Sequence, residues 1–267
     1  MSPFMEWNLQ CLRTIAQLRS PTLDAVMSAL TQLGGETFFM LLILIVFWCV
    51  DKNKGYFLMI LCFAGTAVNQ VLKITFCIPR PWVLDPSFQI VESARAGAAG
   101  FSFPSGHTQN AVAAYGALAC ISRRLWVRIV CLALTLVIPF SRMYLGVHTP
   151  LDVGVSFVIA WLLVLACYPL LEEIGHRRGP LLRAWLVLIV PAALFLLYAL
   201  YVRHGAAGDL SNFDHAVKTA WTMLGLVLGA VVSVLADQNY TRFETAAVWW
   251  AQILKVVLGI ALTLAVR

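Results

Sequence analysis

Apolar stretches of about twenty residues alternate along this chain with short polar breaks, a spacing that matches the thickness of a bilayer. Spans are predicted at roughly 26–50, 55–77, 106–122, 126–146, 149–171, 183–202, 218–236 and 246–266. Backbone polar groups in lipid have to be satisfied within a helix or a closed barrel, and these runs lack the period-two alternation of barrel strands. The expected architecture is all-α, a polytopic transmembrane bundle of about eight spans. The first twenty residues differ, because Phe4, Met5, Trp7, Leu9, Leu12, Ile15 and Leu18 are interleaved with Arg13 and Arg19. Residues 1–20 are therefore expected to form an amphipathic segment lying on the membrane, and they do not have the layout of a cleavable signal peptide. The longest break, from about Pro79 to Ser105, carries Pro79, Pro81, Pro86 and Pro104 and is not expected to be helical throughout. No repeat or low-complexity tract is present, and the last span runs to Arg267 without a tail, as it would in a chain shortened at its C-terminus.

Composition agrees with this pattern. Of 267 residues, 61% are hydrophobic and 12% charged, which excludes an ordinary soluble domain. Seven cysteines form no CxxC pair and fall mostly in apolar runs, so they read as small buried hydrophobes, with neither a disulfide nor a structural zinc expected. The formal net charge of +6 comes from dispersed basic residues, assigned to cytoplasmic loops and anion ligands and not to nucleic-acid binding.

Against this background three polar patches stand out: Lys73 with Arg80-Pro81, then Pro104-Ser105-Gly106-His107, then Ser141-Arg142 with His148 and Asp152. Counting spans places all three at the same membrane face, since two helix ends separated by one span lie on opposite sides. The opposite side holds Lys52, Lys54, Arg123, Arg124, Arg128, Arg177, Arg178, Arg183 and Arg242 in short loops or at span ends. The patch side holds Arg13, Arg19, Arg95, Arg203 and Lys218 besides the patch cations. By the distribution of Lys and Arg, the opposite side is expected in the cytoplasm and the patches outside.

Each patch has a chemical reading. Thr149 is a natural N-cap with Pro150 in the first turn, and Asp152 then reaches back one turn toward His148. A carboxylate on one ring nitrogen fixes the tautomer and leaves the other nitrogen as a nucleophile. Ser105 is placed to cap span three at its anion-attracting N-terminus, Gly106 permits close approach of a ligand, and His107 can give a proton to a leaving oxygen. Pro79 and Pro81 hold Arg80 in extended backbone, with Lys73 below it on the helix. Snorkelling explains Lys73 alone but not the Pro-Arg-Pro beside it. Arginine suits bidentate contact to phosphate oxygens, and lysine supplies a point charge.

Lys73-x6-Arg80-Pro81, Pro104-Ser105-Gly106-His107 and Ser141-Arg142-x5-His148-x3-Asp152 together resemble the three-part signature of the type 2 phosphatidic acid phosphatases, in order and in spacing. That superfamily also includes vanadium haloperoxidases, bacterial acid phosphatases and glucose-6-phosphatase-like enzymes. The resemblance covers about residues 25–172, expected as the catalytic membrane core, with residues 183–267 as additional transmembrane helices. It implies a metal-independent, cofactor-free hydrolase in which His148 attacks phosphorus, Asp152 orients His148 and His107 protonates the leaving oxygen. It further implies that Lys73, Arg80, Ser105, Gly106 and Arg142 hold the phosphoryl oxygens.

An interfacial site suits an amphiphilic lipid phosphate: phosphatidic acid, phosphatidylglycerol phosphate, a sphingoid phosphate or a polyprenyl diphosphate. The short loops look bacterial. A phosphotransferase of the same superfamily and an anion transporter or channel are the competing readings, and the oligomeric state is open. Asp209, Asp214 and His215 are candidate metal ligands, although a solvated loop explains them better. Pro191 is expected to kink span six, Glu36 to open a helix, and Asn110 either to assist His107 or to bond between helices.

Overall fold

The computed structural model describes residues 2–176, 178–205 and 210–266, and among these it is helical, with no strand. Two short helices come first. α1 (Pro3–Ala16) is capped by Ser2, with proline in its first turn, and α2 (Pro21–Gln32) repeats that start with Ser20 and Pro21. α1 has two apolar faces. Phe4 and Trp7 are more than half exposed, whereas Leu9 and Leu12 are fully buried, Leu12 in a cluster with Tyr144, Leu145 and Val147 of the turn that carries His148.

α3 (Glu36–Ile45) continues through a π turn at Val46–Val50 and is bent by 48° from α2. The break falls at Leu33-Gly34-Gly35, where a Cβ on Gly34 would stand 2.6 Å from Ile138 and 3.2 Å from the carbonyl of His107. Glycine lets this bend press against the helix that carries His107.

α4 (Lys52–Phe76) runs through the middle of the bundle. The Asp51 carboxylate caps it by accepting from the amides of Asn53 and Lys54, and Cys77 closes it in the left-handed region at φ 49°. α5 (Pro81–Leu84) and a 3-10 turn at Glu92–Ala94 break up the long loop, as its prolines predicted. α6 (Gly106–Ala111) passes through a π turn at Val112–Gly116 into α7 (Ala117–Ile121). α8 (Leu125–Tyr144) and α9 (Pro150–His176) flank this run. α10 (Arg178–Gly205) and α11 (Leu210–Ala236) pair with each other and share a core with α4 through Phe63, Trp185, Phe195 and Met223. α12 (Trp249–Val266) comes last.

Among the described residues five helices are long and apolar enough to cross a membrane, and a sixth crossing results if the bent α2–α3 pair counts as one span. The expected eight included 106–122 and 246–266. The first is a run from Gly106 to Ile121 that opens with polar residues and is largely buried, so its sequence answers to neighbouring helices instead of lipid. The second is a shorter apolar helix within the described residues. Long apolar faces on α8, α9, α10 and α11 remain exposed, as expected of helices solvated by acyl chains.

Candidate active site

Lys73 lies in the last turn of α4 and is only 8% exposed. Its ammonium donates to the carbonyls of Phe101 at 2.7 Å and Ser102 at 3.4 Å. Arg80 caps α5 in extended backbone, between two prolines that rule out a helical alternative there. Its Nε donates to the Gly100 carbonyl at 3.1 Å, Nη2 to Ala99 at 2.8 Å and Nη1 to Val147 at 3.0 Å. Four consecutive carbonyls, from Ala99 to Ser102, thus hold both cations. This strap is fixed from outside, because the Ser102 amide donates to Ile78 at 2.8 Å and the Phe101 ring meets Phe213 of α11 edge-on at 5.4 Å.

Ser105 joins two helix starts. Its amide donates to the Asp152 carbonyl at 3.1 Å, and its hydroxyl oxygen accepts from the Thr108 amide at 3.4 Å and the Thr108 hydroxyl at 3.0 Å. A Cβ at Gly106 would meet nothing nearer than Asn69 Oδ1 at 4.0 Å, so the glycine leaves open space beside this cap. His107 follows in the same turn, partly exposed, with its ring edge toward Gly97.

Arg142 ends α8 at 1% exposure. Its Nη1 donates to the Thr31 hydroxyl at 3.0 Å, while Nε and Nη2 are buried with no acceptor among the described residues. Buried guanidinium donors without partners are costly, and they mark a place for an anion.

His148 sits in the turn between α8 and α9, which Gly146 makes possible at φ +80°. Thr149 and Asp152 form a reciprocal cap: the Thr149 amide donates to Asp152 Oδ2 at 2.8 Å, and the Asp152 amide to the Thr149 hydroxyl at 3.3 Å. The same Oδ2 accepts the Ser102 hydroxyl at 2.6 Å and lies 3.4 Å from His148 Nδ1. Arg80 Nη1 is 2.9 Å from His148 Nε2. Arginine can only donate, so Nε2 is the accepting nitrogen and Nδ1, toward Asp152, carries the proton. Burial holds the His148 pKa well below the usual histidine value, and Arg80, Arg142, Lys73 and His107 depress it further.

Lys73, Arg80, Ser105, Arg142, His148 and Asp152 therefore form one buried cluster, with Gly106 and His107 in the turn after Ser105 and His107 near enough for its charge to act on His148. Sequence reasoning missed Ser102, the Thr31 hydroxyl and the carbonyls of the strap. Only Ser102 left a trace, as a lone hydroxyl between Phe101 and Phe103 next to the second patch. Of the candidate metal ligands, Asp209 lies outside the described residues, Asp214 is paired with Arg203, and His215 is exposed beside Gly100. Among the described residues no three His, Cys, Asp or Glu side chains are gathered as a metal site.

Three buried cations face one buried carboxylate here, an imbalance that a bound anion would relieve. The comparisons with known proteins agree. The sequence model of the PAP2 superfamily matches residues 53–176. Phosphatidylglycerophosphatase B of Bacillus subtilis is 32% identical over 60% of this chain and 81% of its own length. Sphingosine-1-phosphate phosphatase 1 of Mus musculus is 26% identical over 89% of this chain and 57% of its own length. The crystal structure of a transmembrane PAP2-type phosphatidylglycerolphosphate phosphatase from Bacillus subtilis superposes with a TM-score of 0.56 at 26% identity, covering 65% of this chain and 89% of that one. With one relative matched over most of its length and the matched region carrying the cations and both histidines of the buried cluster, the chain belongs to the PAP2 superfamily and is a membrane-embedded phosphatase that hydrolyses a phosphate monoester or diphosphate.

Proposed function

We propose that the substrate is a lipid phosphate or diphosphate, hydrolysed through a phosphohistidine on His148 at the outer face of a bacterial cytoplasmic membrane. One observation carries this reading: the two open donors of Arg142 within a buried excess of positive charge around His148. That enclosure suits a phosphate group, and its place at helix ends in an apolar bundle suits a substrate whose tail stays in lipid.

The steps follow from the contacts. An arriving phosphoryl oxygen takes the Arg80 Nη1 donor, and the Nε2 lone pair is released. Nε2 then attacks phosphorus while the bond from phosphorus to the leaving oxygen breaks. Burial and the neighbouring Arg142, Arg80 and Lys73 hold the His107 pKa down, and the negative phosphate offsets them. His107 therefore takes up a proton as substrate binds and then gives it to the leaving oxygen, while Asp152 steadies the charge that develops on the His148 ring. A water molecule next attacks phosphorus, His107 takes the proton back, the P–N bond breaks, and phosphate leaves. Lys73, Arg80, Arg142 and the Ser105-Gly106 cap stabilise the equatorial oxygens throughout. No step calls for a metal.

Purified protein given phosphatidic acid, phosphatidylglycerol phosphate, a sphingoid phosphate and a polyprenyl diphosphate is expected to release inorganic phosphate from at least one of them. Transfer of labelled phosphoryl groups to an alcohol with no free phosphate would replace hydrolysis by phosphotransfer. The face can be read separately with a cysteine at exposed Ala96 and another at exposed Arg123. In intact cells, an impermeant thiol reagent is expected to label the first beyond the level of the parent chain and to spare the second. The reverse pattern places the site inside.

The depressed His148 pKa has a kinetic consequence. A neutral ring is the nucleophile, and a group titrating at the ordinary value of 6.5 would lose half its activity there. We expect kcat/KM, after allowance for substrate ionisation, to keep its acid limb well below pH 6.5. A limb at 6.5 that persists across substrates of different phosphate pKa would contradict a neutral buried His148.

A further inference from the structure

The turn from Leu145 to Pro150 holds the proposed nucleophile, and its two ends are bound by the same N-terminal segment, which lies outside the matched family region of residues 53–176. At the first end, Arg19 in the link between α1 and α2 donates from Nε to the Tyr144 carbonyl at 3.0 Å and from Nη1 to the Gln89 carbonyl at 2.6 Å. Its guanidinium lies 5.6 Å from the Phe88 ring centroid and against Gly146, where a Cβ would stand 2.6 Å from Nη2. The neighbouring Ser20 amide donates to the Tyr144 hydroxyl at 3.3 Å, and that hydroxyl donates to Asp24 at 2.6 Å. At the other end, Asn8 of α1 is fully buried and accepts at Oδ1 from the Leu151 amide at 3.0 Å. This caps α9 from another helix, one residue before Asp152. Between the two ends, Leu12 packs with Tyr144, Leu145 and Val147.

A surface anchor alone does not call for these contacts. A long cation shared between two backbone carbonyls and a buried amide capping a foreign helix constrain the polypeptide on either side of His148. The Leu145 carbonyl is also taken, by the Val91 amide at 3.0 Å, and the Val147 carbonyl by Arg80. The turn therefore has little freedom while Arg19 and Asn8 are in place. Without them, the His148 ring could drift from the line between Asp152 and Arg80, and small displacements at a reacting group cost large factors in rate.

We infer that Arg19 and Asn8 are positioning residues for the phosphatase reaction, clamping the His148 turn from the N-terminal segment. The inference rests on His148 as nucleophile, and its test separates the two. Arg19→Ala is expected to lower kcat at least about tenfold with KM within about twofold, because the phosphate ligands are untouched. Arg19→Lys cannot fork to both carbonyls and should recover only part of the rate, whereas guanidinium ion added to Arg19→Ala should recover some of it. Asn8→Asp keeps an acceptor at the helix start but sets its second oxygen against the Phe4 carbonyl, to which Asn8 Nδ2 donates at 2.9 Å, and is expected to recover part of the activity that Asn8→Leu loses.

Hydrogen exchange of the amides from Gly146 to Thr149 reads the clamp without any turnover, and it is expected to quicken at least about tenfold in Arg19→Ala and Asn8→Leu while amides of α4 stay protected. Unchanged exchange and kcat in both variants would overturn the inference. So would a loss of yield or thermal stability with full kcat in the protein that survives. Faster exchange in an enzyme whose His148→Ala form still turns over would keep the clamp and reject the nucleophile.

Discussion

His148→Ala is expected to abolish turnover, by at least about four orders of magnitude, while a lipid phosphate still binds. The argument starts from the ring's position. Nε2 is the atom that faces the cation cluster, and no other side chain in the site offers an unprotonated nitrogen between a carboxylate and an arginine. Lys73 is engaged by two carbonyls and Arg80 by three. The cations proposed to bind phosphate are held by backbone carbonyls and Thr31 and stay in place when the imidazole is removed, so affinity should change far less than rate. Phosphate release and binding of a labelled substrate to the same preparation check this. Quenching the parent enzyme and labelled substrate in alkaline detergent should trap a base-stable, acid-labile adduct that the variant lacks. A transporter or anion channel built on the same cations would instead keep its flux in His148→Ala, and that result would reverse the reading.

The second large effect is expected at Asp152. Asp152→Asn should lower kcat by roughly three to four orders of magnitude with little change in KM. The carboxylate oxygen that faces His148 Nδ1 also accepts the Ser102 hydroxyl and the Thr149 amide, and an amide oxygen in its place keeps those contacts but carries no charge to offset the one that develops on the ring. Turned the other way, the amide sets its nitrogen toward the ring, gives up the Thr149 and Ser102 donors, and disfavours a proton on Nδ1. In that orientation the proton moves to Nε2, the nitrogen proposed to attack. Ser102→Ala provides the contrast. It removes one donor to the carboxylate, leaves the tautomer alone, and is expected to cost about tenfold or less. Equal losses in Asp152→Asn and Ser102→Ala, with matching losses of thermal stability, would mean that Asp152 serves only to hold the strap to α9.

Much of the cluster could be read from local sequence because its parts are short-range. Thr149 and Asp152 are three residues apart and cap the helix they begin, and Asp152 lies one turn from His148. Pro79 and Pro81 confine Arg80 to extended backbone whatever surrounds it. Counting apolar runs then put all three patches at one end of the bundle. The helix bounds were less legible. α10 was expected at 183–202 and extends from Arg178 to Gly205, and α11 was expected from 218 and starts at Leu210. Polar turns continue a helix beyond its apolar stretch, and hydropathy does not register them.

The chain's own sequence decided that it lies in a membrane as helices, and that two histidines, three cations and one carboxylate sit at a single end, because those properties depend on residue type and on spacing within a turn or a span. Tertiary structure decided what each group faces. Ser102, Thr31, Gln89 and Tyr144 reach their partners across 50, 111, 70 and 125 positions of chain, and carbonyls carry no sequence mark at all. The bend at Gly34, the Phe213 ring behind the strap and the burial of Leu12 against the His148 turn are also choices of packing, made where one helix meets another. An apolar pattern shows that a face will be covered, but the identity of the covering group depends on shape and on hydrogen bonds that form only when distant segments come together.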